Sequence, residues 1–499
     1  MSPFESAVVP IPECRIDKLI FARLERLGLQ PANLCSDSCF LRRAFFDVIG
    51  TLPTAQEVKA FLADSSAEKR AVLIDRLLAR DEFADYWAMK WSDLLRIKAE
   101  FPVNLWPNAA QAYHRWIRTA VKENEPYDRF VRELLTESGS NFRVPQVNFY
   151  RAIQGREPEA IAKAVALTFM GTRAENWPKE RLAGMATLFS LITYKATAEW
   201  KEEIVIFDSG KVKDFSALKA ALPDGTPVRL SPDIDPRETF AKWLIDAKNP
   251  YFAKNIVNRI WSWLLGRGIV HEPDDIRENN PPVNPELLAY LESELVDAKF
   301  DLKHIFKLIL NSQTYQLAPA PKSKSPEAEA NFAYYAIRRL DAEVLIDALC
   351  QITGSTEKYT SPIPEPFTFI PENLRSIALP DGSITSSFLE MFGRPARDTG
   401  LESERNNRPT AEQCLHLLNS THIQRKLERN TQFQALVQSA ARPRDIVEGV
   451  YLAILSRTPT EDELKILGAY SQTGKAKGRE FMLDLCWALI NGAEFQYRH

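Results

Sequence analysis

Residues 393–409, GRPARDTGLESERNNRP, crowd four arginines and three carboxylates into one short stretch: Arg394, Arg397, Arg405 and Arg408 alternate with Asp398, Glu402 and Glu404. An arginine fork grips carboxylate, sulfate or phosphate through paired hydrogen bonds. A carboxylate held among such cations can serve as general acid or base, so all seven are candidate catalytic or binding residues. The alternative is that they satisfy one another in an ion-pair network that pins an irregular loop, because structural networks also perturb ionisable groups.

Two further segments could do chemistry. In GRGIVHEPDDIRENNPP, residues 266–282, His271, Asp274, Asp275 and Glu278 could ligate a divalent cation. Calcium-loop spacing is absent, however, and the prolines suit a stiff turn whose carboxylates cap a helix or pair with Arg267 and Arg277. In SGSNFRVPQVNFYRA, residues 138–152, Asn141, Arg143, Asn148 and Tyr150 suit hydrogen bonding and stacking with a sugar, although a loop backbone also needs such amides locally. If the first and third segments work together, they converge on one open cleft, and the ligand is an anionic or carbohydrate-like polymer. KATAEWKEEIVIFD, around Trp200, reads as a helix end entering a strand, and Trp261 and Trp263 read as core. A glycine-rich phosphate loop, a dinucleotide fingerprint, a Gly-x-Ser-x-Gly elbow and a His-Glu-x-x-His pair are all missing. Cys35 and Cys39 have no second pair to complete a structural zinc site, and Cys350 and Cys486 suit packing as small hydrophobes.

The elements that must position these residues are helical. RIDKLIFARLERLGL places Ile16, Leu19, Ile20, Leu24 and Leu27 on one face, with Gly28 as its stop. Thr54 with Glu57, Ser65 with Glu68, Thr410 with Gln413 and Thr460 with Glu463 have capping-box spacing. Further helices are expected over 82–97, 108–123, 127–137, 157–170, 178–192, 249–265, 285–298, 301–312 and 341–352. Glycines, prolines and β-branched runs interrupt the pattern at 203–235, which reads as a small strand pair or linker. Residues 355–383 read as an ordered, proline-rich loop. The expected class is mainly α: a multi-helix, two-domain protein with a small β element near the middle, about 203–230.

With 499 residues, 45% apolar and 26% charged, the chain can bury a large core unaided by metal or disulfide. A net charge of −3 with no basic run removes the electrostatic footprint of nucleic-acid binding. No window approaches eighteen uninterrupted apolar residues, so no transmembrane segment is expected. The first twenty residues lack a charged n-region and a continuous apolar h-region, so no signal peptide is visible.

Several long motifs carry a resemblance. LRRAFFDVIGTLPTAQEVKAFLAD and AVLIDRLLARDEFADYWAMKWSDLLR are followed by NPYFAKNIVNRIWSWLLGRGIVHEPDDIRENNPPVNPELLAYL, FLEMFGRPARDTGLESERNNRPT and LHLLNSTHIQRKL. Together they resemble a pair of domains of unknown function that accompany planctomycete-type cytochrome c modules. The resemblance implies an N-terminal helical, cytochrome-associated-type domain over 10–202, a short β or linker segment over 203–235 and a C-terminal helical partner domain over 236–499. It further implies an extracytoplasmic scaffold or partner-binding protein, with a sulfatase-like protein encoded nearby as a possible partner. Many such proteins carry Cys-x-x-Cys-His between a Phe-x-Gly-x-Arg stretch and a later Trp, where it would attach haem. Here Phe169, Gly171, Arg173 and Trp177 stand in place, but only Ala174, Glu175 and Asn176 lie between the last two. Covalent haem attachment needs the absent thiols, so no haem or other cofactor is expected, and electron transfer is not carried over.

Overall fold

A helix begins where an acceptor satisfies its free N–H groups and ends where a residue tolerates left-handed backbone. The computed structural model, which describes residues 2–433, 436, 442–474 and 478–499, follows that rule closely. Helix α1 (Arg15–Arg26) stops at Gly28, whose φ of 67° lets Leu29 N–H return to the Leu24 carbonyl. Helix α2 (Asp37–Ile49) is capped by Ser36, and α3 (Ala55–Ala63) by the expected Thr54–Glu57 box. Helix α4 (Lys69–Leu78) departs from expectation. The Ser66 hydroxyl takes the Glu68 N–H and the Asp64 carboxylate takes the Ser66 N–H, so a tight turn uses these acceptors and Ser65 caps nothing.

Next come α5 (Asp81–Leu94), α6 (Pro107–Lys122), α7 (Tyr127–Thr136), α8 (Asn148–Arg151), α9 (Pro158–Val165) and α10 (Lys179–Thr187). A π turn, Ala166–Met170, extends α9 until Gly171 ends it at a φ of 62°.

The β texture is present, but its partners reach beyond 203–230. Strand β1 (Gly139–Ser140) and strand β2 (Ile192–Ala196) flank β3 (Glu203–Phe207) in an antiparallel sheet, with Gly139 opposite Val205 and Ile192 opposite Phe207. A lone β3 would leave its backbone groups unpaired and Val205 uncovered, so it recruits both neighbours. The short β4 (Ala220–Ala221) and β5 (Pro227–Val228) pair with each other.

The second half supplies α11 (Pro236–Leu244), α12 (Phe252–Leu265), α13 (Pro285–Asp297), α14 (Leu302–Asn311) and α15 (Pro326–Ala330). After these come β6 (Arg338–Arg339), α16 (Ala342–Thr353), α17 (Ser387–Met391), α18 (Ala411–Asn419) and α19 (Thr421–Glu428). Helices Pro443–Leu455, Glu461–Gln472 and Arg479–Asn491 lead to β7 (Tyr497–Arg498), which pairs with β6. The fold is mainly α. Among the described residues no helix is long and apolar enough to cross a membrane.

One buried cluster runs from Ile16 in α1 to Phe495, drawing on both halves of the chain. At its centre the Trp87 ring of α5 lies 4.5 Å from Phe306 of α14 and 5.2 Å from Trp263 of α12. Rings of this size bury about 150–250 Å² each, so such contacts dominate the packing energy between the halves.

Candidate functional site

Two helices carry charges inward. On α5, Lys90 and Asp93 lie one turn apart on a face that also buries Trp87, Trp91 and Leu94. On α16, Asp341 sits at the N-cap and Glu343 in the first turn, where the helix dipole favours a carboxylate. The Asp341 side chain does not cap its own helix. It receives Lys90 at 3.0 Å, Arg498 at 2.7 Å, the Tyr86 hydroxyl at 3.1 Å and the Asn407 amide at 2.7 Å. Burial alone would raise its pKa; Lys90, Arg498 and Arg405 overcome that and hold it well below the usual carboxylate range.

The arginines of 393–409 complete this network. Arg405 donates to Asp93 at 2.7 Å and to Glu343 at 2.7 and 3.1 Å, bridging α5 to α16. Arg397, fully buried, donates to Asp93 at 2.9 Å, and Arg394 lies 3.5 Å from Glu343. Sequence reasoning missed these partners. The arginines are satisfied not by their acidic neighbours but by carboxylates some 50 to 300 residues away. Those acidic neighbours have other duties. Asp398 pairs with Lys98 at 2.8 Å, and Glu404 accepts the N–H groups of Asp398 and Thr399. Arg408 is exposed, and its guanidinium has no partner among the described residues.

Glu402 differs from the rest. Its Oε1 accepts the Trp263 indole N–H at 2.8 Å, and its own N–H donates to Asp274 at 2.7 Å. Burial raises its pKa, so it keeps its proton to higher pH than an exposed glutamate.

An open cleft of about 780 Å³ lies between the 266–274 loop, β6, β7 and residues 402–409, with Lys90 at its floor. Six cationic side chains line it (Lys90, Arg338, Arg339, Arg405, Arg408, Arg498) against four carboxyl groups (Glu272, Asp274, Asp341, Glu402). Asp274 is already neutralised by Arg259 at 2.7 Å. Arg339 donates one Nη to Gln413 and stacks 5.0 Å from the Phe392 ring, but its Nε and other Nη are buried without a partner. Arg405 is in turn neutralised by Asp93 and Glu343, and Arg498 and Arg338 face Asp47, so the unused cationic donors of the cleft are those of Arg339 and Arg408. Its chemical capacity is to bind an anion.

The other candidates fall elsewhere. No residue of 138–150 lines the cleft, which departs from the expected convergence. Asn141 is spent on the Lys201 carbonyl and the Glu203 N–H, Asn148 on the Asn141 and Pro145 carbonyls, and the Tyr150 hydroxyl on the Leu135 carbonyl. Buried polar atoms must be paired, and these three residues hold the loop onto the sheet instead of facing solvent. Arg143 points outward, 3.9 Å from Glu202. In the 266–282 loop, Asp275 pairs with Arg277 at 3.1 Å, and burial lowers the pKa of His271, beside Arg267. Among the described residues no three His, Cys, Asp or Glu side chains gather to hold a metal ion, so His271, Asp274, Asp275 and Glu278 do not assemble as a ligand set.

Residues 173–177 form a short 3-10 turn beside a separate opening of about 610 Å³, shared with Asp275, Arg277 and Glu278. The Trp177 ring stacks 3.9 Å from the Arg181 guanidinium. Neither a thiol nor an imidazole lines that space, so its donors do not fit a c-type haem.

The comparisons accord with this picture of two interlocked halves. Residues 15–182 match the family described as PSCyt2, protein of unknown function (DUF1549). Residues 236–471 match the family described as PSD1, protein of unknown function (DUF1553). No curated protein and no solved structure matches the chain. With both families present in this order, the chain belongs to the proteins that join a DUF1549 domain to a DUF1553 domain.

Proposed function

We propose that the protein binds an anionic, carbohydrate-like polymer, and that the cleft between residues 266–274 and 402–409 receives its carboxylate or sulfate groups. The observation that carries this reading is the pair of under-used arginines at the cleft. Arg339 keeps buried N–H donors without a partner, and the Arg408 guanidinium is unpaired. A buried donor left unmade costs about 1–3 kcal/mol, which an oxyanion would recover once the Arg339 side chain turns toward the cleft.

Native gel electrophoresis in gels containing dextran sulfate, polygalacturonate or neutral dextran tests the reading. The two anionic polymers should retard the protein, more weakly as salt rises, and neutral dextran is the uncharged control for the cleft. Arg408→Ala and Arg339→Met should each weaken retention about tenfold, the effect of about 1.4 kcal/mol. Arg408→Ala should leave the melting temperature unchanged, because the side chain is exposed. Equal mobility in all three gels, or full retention by both variants, would refute the proposal and leave a scaffold role as the reading.

A further inference from the structure

A second surface carries chemistry that the cleft does not use. The turn between β2 and β3 is fastened by the Thr197 N–H to the Glu202 carbonyl, the Glu199 N–H to the Thr197 hydroxyl and the Thr197 hydroxyl to the Glu202 carboxylate. It presents Trp200 at 67% exposure. Trp106, in the loop before α6, lies with its ring centroid 6.5 Å from that of Trp200 at 84° and 5.3 Å from that of Phe367 at 59°. Three segments far apart in sequence thus bring three rings together at the surface, and Phe367 is itself 47% exposed. The Trp106 backbone has a φ of 73°, a region that bulky residues rarely occupy, and its N–H is tied to the Ala99 carbonyl. Such strain, about 1–3 kcal/mol, clusters at ligand sites.

We propose that Trp106, Trp200 and Phe367 form a carbohydrate-stacking site that takes the ring faces of a neutral polysaccharide chain. An aromatic face carries negative charge density and attracts the polarised C–H bonds of a pyranose ring. The rings are not coplanar and Lys201 lies over both indoles, but Trp200 at 67% exposure keeps surface for a sugar ring. The surrounding charge favours this occupant over a bilayer or a charged peptide. Lys201 lies 5.4 Å from both indole rings, but Glu199 and Glu202 offset it and Arg143, and Arg143 is 3.9 Å from Glu202. An anionic membrane would need a cationic surround, whereas sugar hydroxyls use donors and acceptors alike. The site goes beyond the cleft and does not depend on it.

The test is native gel electrophoresis in gels containing soluble neutral polysaccharides: mixed-linkage β-glucan, xylan and mannan. At least one should retard the wild type. Trp200→Ala should weaken that retention about tenfold, and Trp200→Phe should keep most of it. Arg408→Ala and Arg339→Met should bind neutral glycans like the wild type, which separates failure of this site from failure of the cleft. An unchanged Trp200→Ala, or no retention on any neutral glycan, would overturn the proposal. So would loss of co-sedimentation with phosphatidylcholine–phosphatidylglycerol vesicles in Trp200→Ala with no glycan effect, which would assign the surface to lipid.

Discussion

His114 in α6 is buried, and burial, aided by the fields of Arg397, Arg118 and Arg115, pushes its pKa down to about 3. An unfolded histidine titrates near 6.5, so between these values the unfolded chain binds a proton that the folded chain refuses. Stability from this residue is therefore full above about pH 6.5 and is lost as pH falls toward 3. His114→Gln, which cannot titrate, should shrink the difference in urea-unfolding free energy between pH 7.5 and pH 4.5 by roughly 3 kcal/mol. Some slope will remain, since burial also lowers the pKa of His499 to about 3. At this scale the sequence was half legible. The arginines of 393–409 stand out because they crowd together. Asp93, Asp341 and Glu343, which satisfy them, are scattered charges within apolar helices, and only the one-turn spacing of Lys90 and Asp93 inside YWAMKWSDLL hints at an inward-facing pair. Asn141, Asn148 and Tyr150 were misleading for the opposite reason: the same amides and hydroxyl that suit a sugar also suit a loop backbone, and the backbone claims them.

The loop that delivers the arginines depends on one glycine. Gly393 has a φ of 88°, its carbonyl accepts the Asn406 N–H at 3.1 Å, and an added Cβ would lie 1.7 Å from the Asn406 carbonyl oxygen. That obstacle is backbone and cannot swing aside. Gly393→Ala should destabilise the protein by about 2–4 kcal/mol in urea titrations and weaken anion binding with it. Gly468→Ala is the contrasting control: it lies within helix Glu461–Gln472 with open space where its Cβ would go, and should stabilise by up to about 1 kcal/mol. Elements read well from sequence where local chemistry decides them. The boxes at Thr54, Thr410 and Thr460 formed as spaced. They read less well where tertiary pairing decides, as for β1, whose two residues become a strand only because β3 lies beside them.

Across the whole molecule, buried charges of the first half find their counter-charges in the second. Asp47 of α2 pairs with Arg498 at 3.0 Å and accepts the hydroxyls of Tyr315 and Tyr335. Lys90 pairs with Asp341, and Asp93 with Arg397 and Arg405. Removing one partner of a buried pair costs about 3–5 kcal/mol. A fragment of residues 15–202 should therefore show no cooperative thermal transition by circular dichroism, whereas the full chain should melt cooperatively. A sharp melt of the fragment would mean that its charges find partners locally. The shared wiring also bears on how such genes can change. Crossing over in the segment near residues 203–235 would join halves whose interior charges were never selected together, so a viable exchange has to carry both halves as a matched set.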